Sequence, residues 1–202
     1  MPRLSLLATA IGIGLAAGIL QACAGSSPSR FYVLTPQVAA PADATMSDTA
    51  IGVGPVVIPQ YLDRPEIVTR TSDNRLDLGE FDQWGGRLGD NVNRTLAENL
   101  SGLLHTDRVA IFPWTDATGL EHQVIVDITQ FERDPTGTVV LTAFWSIVDA
   151  RSGQVLTNRR SSIQKPVAAA SGTVTAYDET VAAMSQALGS LSEEIATALG
   201  QI

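Results

Sequence analysis

Residues 122–150, HQVIVDITQFERDPTGTVVLTAFWSIVDA, decide how this chain folds. Apolar residues recur at every second position on both sides of Asp134-Pro135-Thr136-Gly137, a run of turn-forming residues. Period-two alternation marks a strand with one buried face. In the first segment Val124, Val126 and Ile128 share one side, and Ile125, Asp127, Thr129 and Phe131 share the other. In the second, Val139, Leu141, Ala143, Trp145 and Ile147 align. Arg151-Ser152-Gly153 then turns the chain into a third segment, Gln154 to Ile163. Three successive strands with turns between them read as an antiparallel meander.

Outward from the meander the period changes. Trp84, Leu88, Val92, Leu96, Leu100 and Leu103 recur every three or four residues, with Arg87, Asn91, Arg94, Glu98 and Ser101 between them. This predicts an amphipathic helix over about 86–104, opened by Trp84. Tyr177, Val181, Met184, Leu188, Leu191, Ile195 and Ala198 predict a second helix over 174–199. Short strands are expected at Phe31–Leu34, Ile51–Ile58 and Val109–Phe112, and a hairpin from Ile67–Thr71 and Arg75–Leu78 around Ser72-Asp73-Asn74. Gly52 and Gly54 allow neighbours to approach the second strand closely. Residues 37–50 bury little and read as a loop. The expected fold class is α/β: a single domain, with a mixed β-sheet and an antiparallel meander packed by two amphipathic helices.

The first residues give an address. Arg3 precedes an apolar run, Leu4–Leu20, and then Leu20-Gln21-Ala22-Cys23. A basic start, an apolar segment and small residues before a cut site make a signal peptide. Leu three before the chain's one Cys looks like a lipobox, with diacylglyceryl and N-acyl groups expected on Cys23. The expected organisation is signal peptide 1–22, lipidated tether 23–30 and folded domain 31–202. One Cys precludes an intrachain disulfide, so packing alone must hold the fold. Ala24 rather than Asp after the Cys favours the outer membrane of a Gram-negative bacterium, facing the periplasm. Removing residues 1–22 takes away Arg3 and no acid, so the net charge of −8 becomes −9. Such a surface suits neither nucleic acid nor anionic headgroups.

Residues for chemistry are few. Lys165, the sole lysine, lies in no Gly-Lys-Ser/Thr phosphate loop, and IGVGP lacks the third glycine of a dinucleotide motif. His105 and His122 with one Cys assemble no metal cluster, and there is no Gly-x-Ser-x-Gly elbow. His105 sits at a helix end, where it reads as a cap or a solvated residue. Asp178-Glu179 and Glu193-Glu194 read as solvated helix faces. No cofactor and no enzymatic activity are expected.

One stretch remains. VGPVVIPQYLDRPEIVTR, residues 53–70, places Tyr61-Leu62-Asp63-Arg64-Pro65 between two apolar arms. Taken with FYVLTP after the lipobox, the Trp before LAENLSGLL, and VAIFPW, it resembles the PqiC family of ABC-transport auxiliary lipoproteins. The likeness is detailed from Phe31 to Trp114 and looser in VIVDITQFERDP and VDARSGQVL; Gly85-Gly86-Arg87 departs from the acidic and Pro or Ser residues the family often has there. The resemblance implies a non-enzymatic outer-membrane lipoprotein of an intermembrane lipid transport system. It would dock a periplasm-spanning MCE-domain protein, itself joined to an inner-membrane component, and favour a ring-like homo-oligomer. Two alternatives stand beside it: an independent envelope lipoprotein assisting another machine, and a lipid carrier with its own pocket. The expected partner interface is Tyr61, Leu62, Asp63, Arg64 and Pro65, with Trp84 as neighbour. Arg64 has Asp63 and Glu66 within reach as ion-pair partners.

Overall fold

The computed structural model describes residues 28–38, 47–114 and 118–202. The expected signal peptide, Cys23 and most of the expected loop at 37–50 lie outside the described residues. Strands β1 (Arg30–Tyr32), β2 (Ile51–Val57), β3 (Glu66–Ser72) and β4 (Arg75–Trp84) precede helix α1 (Leu88–Leu104). Then come β5 (Val109–Ile111), the meander β6 (His122–Arg133), β7 (Thr138–Asp149) and β8 (Val155–Pro166), and helix α2 (Ala176–Leu199). The eight strands form one mixed sheet in the order β1-β4-β3-β6-β2-β5, with β7 and β8 continuing antiparallel from β6. The expected fold class holds.

The meander is the spine. Val124, Val126, Val139, Leu141, Ala143 and Ile147 are all fully buried, on the face that the alternation assigns to the core. Phe131 departs from the expectation. Ile128 pairs with Ala143 but Gln130 with Thr142, so β6 holds one extra residue there. Such a bulge moves every later side chain to the opposite face. Phe131 therefore turns inward beside Leu141 and is fully buried. Gly52 also does what its place in a strand suggests: an added Cβ would stand 2.8 Å from the Trp114 ring.

Trp84 does not open α1. Its N–H donates to the Pro65 carbonyl at 2.7 Å, and the Gly85 N–H donates to the Tyr32 carbonyl at 2.8 Å. Those backbone groups belong to the sheet, so β4 runs on past Leu78 to Trp84, and the helix starts after the Gly85-Gly86-Arg87 corner. Spacing alone cannot see this, because Leu88 stands four positions after Trp84 in either conformation. Leu88, Val92, Leu96 and Leu100 still form the buried stripe of α1, whereas Leu103 is half-buried. His105 caps the helix in the left-handed region at φ 52°, its N–H donating to the Ser101 carbonyl.

The two helices touch each other. Polar residues of α1 are buried there: Asn99 donates through Nδ2 to Ser192 Oγ at 3.2 Å and accepts from the Gln37 N–H at 2.8 Å. Helix α2 starts with a capping box, in which Asp178 N–H donates to Thr175 Oγ1 and the Thr175 N–H donates to the Asp178 carboxylate. Asp178 is thus a cap and not merely a solvated acid. Glu194 is likewise engaged: the buried Trp145 Nε1–H donates to Ser161 Oγ at 2.8 Å, and Ser161 donates to Glu194. Among the described residues no helix is long and apolar enough to cross a membrane.

Candidate docking corner

The segment between β2 and β3 fills a notch along one edge of β6. That edge first takes β2, ending with Val57 opposite Asp127, and later β3, with Thr69 opposite Arg133. The chain between them turns tightly: the Leu62 N–H donates to the Pro59 carbonyl at 2.9 Å, and the Arg64 N–H to the Leu62 carbonyl at 2.9 Å. Pro65 keeps Arg64 out of the helical region and returns the chain extended into β3.

This geometry divides the predicted site residues in two. Leu62 is 2% exposed and joins the core, as does Trp84 at 4%. Tyr61 is half-buried and its hydroxyl donates to Glu132 Oε2 at 2.9 Å. Glu132 itself is fully buried. Its Oε2 also accepts from the Phe131 N–H at 3.1 Å, and Oε1 accepts from Arg70 Nε at 2.9 Å. A buried carboxylate is tolerated only with such partners. Burial and then the Glu132 charge push the Tyr61 phenol up to about 12. Asp63, Arg64 and Pro65 face outward. Arg64 takes Glu66, at 2.9 Å, and this pairing holds the Glu66 carboxyl below its usual range. Asp63 pairs instead with Arg87, at 3.0 Å, a residue from the corner that opens α1.

The Asp63–Arg87 pair stands between two clefts. One, of about 420 Å³, is lined by Asp63, Arg64, Pro65, Trp84, Gly86 and Arg87. The other, of about 360 Å³, runs between the end of β2, the first turns of α1 and Phe112-Pro113. Asn93 lines the second cleft. Its Nδ2 donates to the Phe112 carbonyl at 3.0 Å, and its buried Oδ1 has no hydrogen-bond partner. Phe112 and Val57, 41% and 52% exposed, add apolar surface nearby. The corner thus offers a charged ridge flanked by concave, partly apolar ground. Among the described residues no group of three His, Cys, Asp or Glu side chains is arranged to hold a metal ion.

A second cluster went unseen in the sequence. Asp82 is 4% exposed. It receives Arg30 through Nε and Nη2 at 2.7 and 2.8 Å, and the Tyr32 hydroxyl at 2.7 Å. The Arg30 guanidinium, more than Tyr32, holds the Asp82 carboxyl below its usual range, against the opposing effect of burial. Tyr32 also lies 3.3 Å from Thr175 Oγ1, so the cluster reaches the cap of α2. Fifty-two residues separate Arg30 from Asp82. Only the parallel pairing of β1 with β4 joins them.

A family model described as ABC-type transport auxiliary lipoprotein component matches residues 32–196, which include the docking corner and, of the Asp82 cluster, all but Arg30. No curated protein matches the chain. Among solved structures, an uncharacterised protein aligns with a TM-score of 0.68 at 22% identity, over 86% of this chain and 99% of that one. A protein of Xanthomonas campestris aligns with a TM-score of 0.67 at 16% identity, over 83% and 93%. At these identities the likeness establishes the fold alone. A PelC dodecamer from Paraburkholderia phytofirmans aligns at 13% identity over 77% and 92%, with a TM-score of 0.44, too loosely to bear an argument.

Proposed function

We propose, for a chain that belongs to the family of ABC-type transport auxiliary lipoprotein components, that it acts as the outer-membrane subunit of an MCE-type intermembrane lipid transport system. Acyl groups on Cys23 anchor it at the periplasmic face. The folded domain docks the far end of a periplasm-spanning MCE-domain protein, whose base joins an inner-membrane component. Copies arranged as a ring match a tube with rotational symmetry. The protein is a binding subunit: its family is one of transport auxiliary components rather than of enzymes.

One observation carries the docking site. The 61–65 loop is braced from inside by Tyr61 and Leu62, while Asp63, Arg64 and Pro65 stand outside beside Arg87. A rigid backbone that presents charged residues over concave ground loses little conformational entropy when a partner binds. Copurification from native membranes under mild crosslinking tests the reading. Recovery of an MCE-domain protein, reduced in Arg64→Ala and in Arg87→Ala, is expected. Equal recovery with both variants moves the site elsewhere, and recovery of no such protein overturns the function.

A further inference from the structure

We infer that Phe31 of β1 and Val33, just past the strand's end, rest against the bilayer that holds the anchor. The inference depends on the lipid-anchor reading and goes beyond it by naming the face of the fold that meets lipid. Phe31 is 68% exposed, more than any other large apolar side chain among the described residues, and Val33 is 48% exposed. Tyr32 and Leu34, at 8% and 3%, alternate with them and point inward. Scattered apolar residues on a surface need no explanation. Here Phe31 and Val33 share one side of an alternating stretch, β1 and the two residues after it, that closely follows the anchor.

Position argues for lipid. Residues 24–29 separate Cys23 from Arg30. At about 3.5 Å per extended residue such a tether reaches roughly 25 Å, so β1 stays that close to the acyl chains however the domain turns. Among the described residues β1 is also a terminal strand of the sheet, with no strand on its far side. Arg30 is committed to Asp82 in a two-bond pair, so the contact depends on apolar side chains rather than on headgroup charge. The Asp82 cluster ties a strand of three residues to β4 and α2 at the point where the tether enters. There is a consequence for docking. Because Gly85 bonds to Tyr32 on one edge of β4 and Trp84 to Pro65 on the other, only β4 stands between β1 and the ridge at Asp63–Pro65. A tube that docks there opens next to the membrane surface.

The chain's one thiol is consumed by acylation, so Phe31→Cys or Val33→Cys in the lipidated chain carries a single free thiol for an environment-sensitive fluorophore. In phosphatidylcholine vesicles, labels at 31 and 33 are expected to shift to the blue, brighten and lose quenching by iodide. A label at Val155→Cys, 56% exposed on β8, is expected to keep its aqueous emission. Equal responses at 31 and 155, in protein that floats with the vesicles, overturn the inference and leave the anchor intact. Protein that fails to float overturns the anchor and the inference together. A blue shift at 31 already present in unacylated Cys23→Ser protein, and rising with its concentration, means a second copy covers β1 and overturns the lipid contact.

Discussion

Glu132 and Asp82 are held by the same pair of partners, a tyrosine hydroxyl and an arginine, in two very different places. Glu132 is fully buried in the spine strand, and its arginine, Arg70, is 24% exposed. Asp82 lies near the sheet's end, and its arginine, Arg30, is 50% exposed. Glu132 fixes a loop from beneath so that the residues above it can be charged. Asp82 fixes β1, the first of the described strands, to β4. The same chemistry therefore costs more to remove where water cannot replace the lost partner.

Loss of Glu132 should hurt most. Glu132→Ala strands Tyr61 and Arg70 and is expected to lower unfolding stability by about 3–4 kcal/mol in denaturant titration. Asp82→Ala, with water at hand for Arg30, should cost about 1–2 kcal/mol. Equal losses would erase the distinction between the clamps. Asp82 also shapes the acid limb. Its folded pKa is depressed, so its contribution is present above the unfolded value and disappears as pH falls through the folded one. Thermal midpoints of Asp82→Asn should fall less steeply below the usual carboxylate range than those of the parent.

Tyr61→Phe removes one hydrogen bond and should cost about 1 kcal/mol. The Tyr61 phenol is raised from 10.0 to about 12, so its contribution is intact below pH 10 and is lost as pH climbs to about 12. Tyr61→Phe should flatten that alkaline limb and remove the latest step of tyrosinate absorbance; an unchanged limb would mean the hydroxyl is not held by Glu132. The smallest effect on stability belongs to Arg64→Ala, whose exposed side chain pairs with Glu66 at the surface. The melting midpoint should stay where it is while partner recovery drops. A large thermal loss would make the ridge part of the brace.

The legible and illegible parts of this fold divide along a physical line. The meander, both helices and the corner at 61–65 are written in local periods and turn residues. The alternation in β7 predicts its buried face without error from Val139 through Ile147, since the extra residue of the bulge sits in β6 and leaves the alternation of β7 intact. The bulge after Ile128 leaves no local mark, because Thr129 is an ordinary strand residue. Trp84 misleads for a related reason: its spacing suits a helix, but its N–H belongs to Pro65. Reading Asp178 as a solvated acid passes over the capping box at Thr175-Ala-Tyr-Asp178, although a hydroxyl followed three residues later by an acid is the pattern that reveals it.

What the sequence determined by itself is what short-range chemistry encodes: where the chain alternates, where it winds, where it turns, and that its one Cys follows a signal-like segment. It also determined, by lacking the motifs, that no phosphate loop is present. Tertiary structure alone decided which side chains became partners. Tyr61 and Arg70 converge on Glu132 because β2 and β3 share one edge of β6, and Arg30 and Tyr32 converge on Asp82 because β1 lies parallel to β4. Carboxylates and arginines look alike along a chain. Their roles are assigned by burial, which withdraws water and makes the few partners within reach decisive.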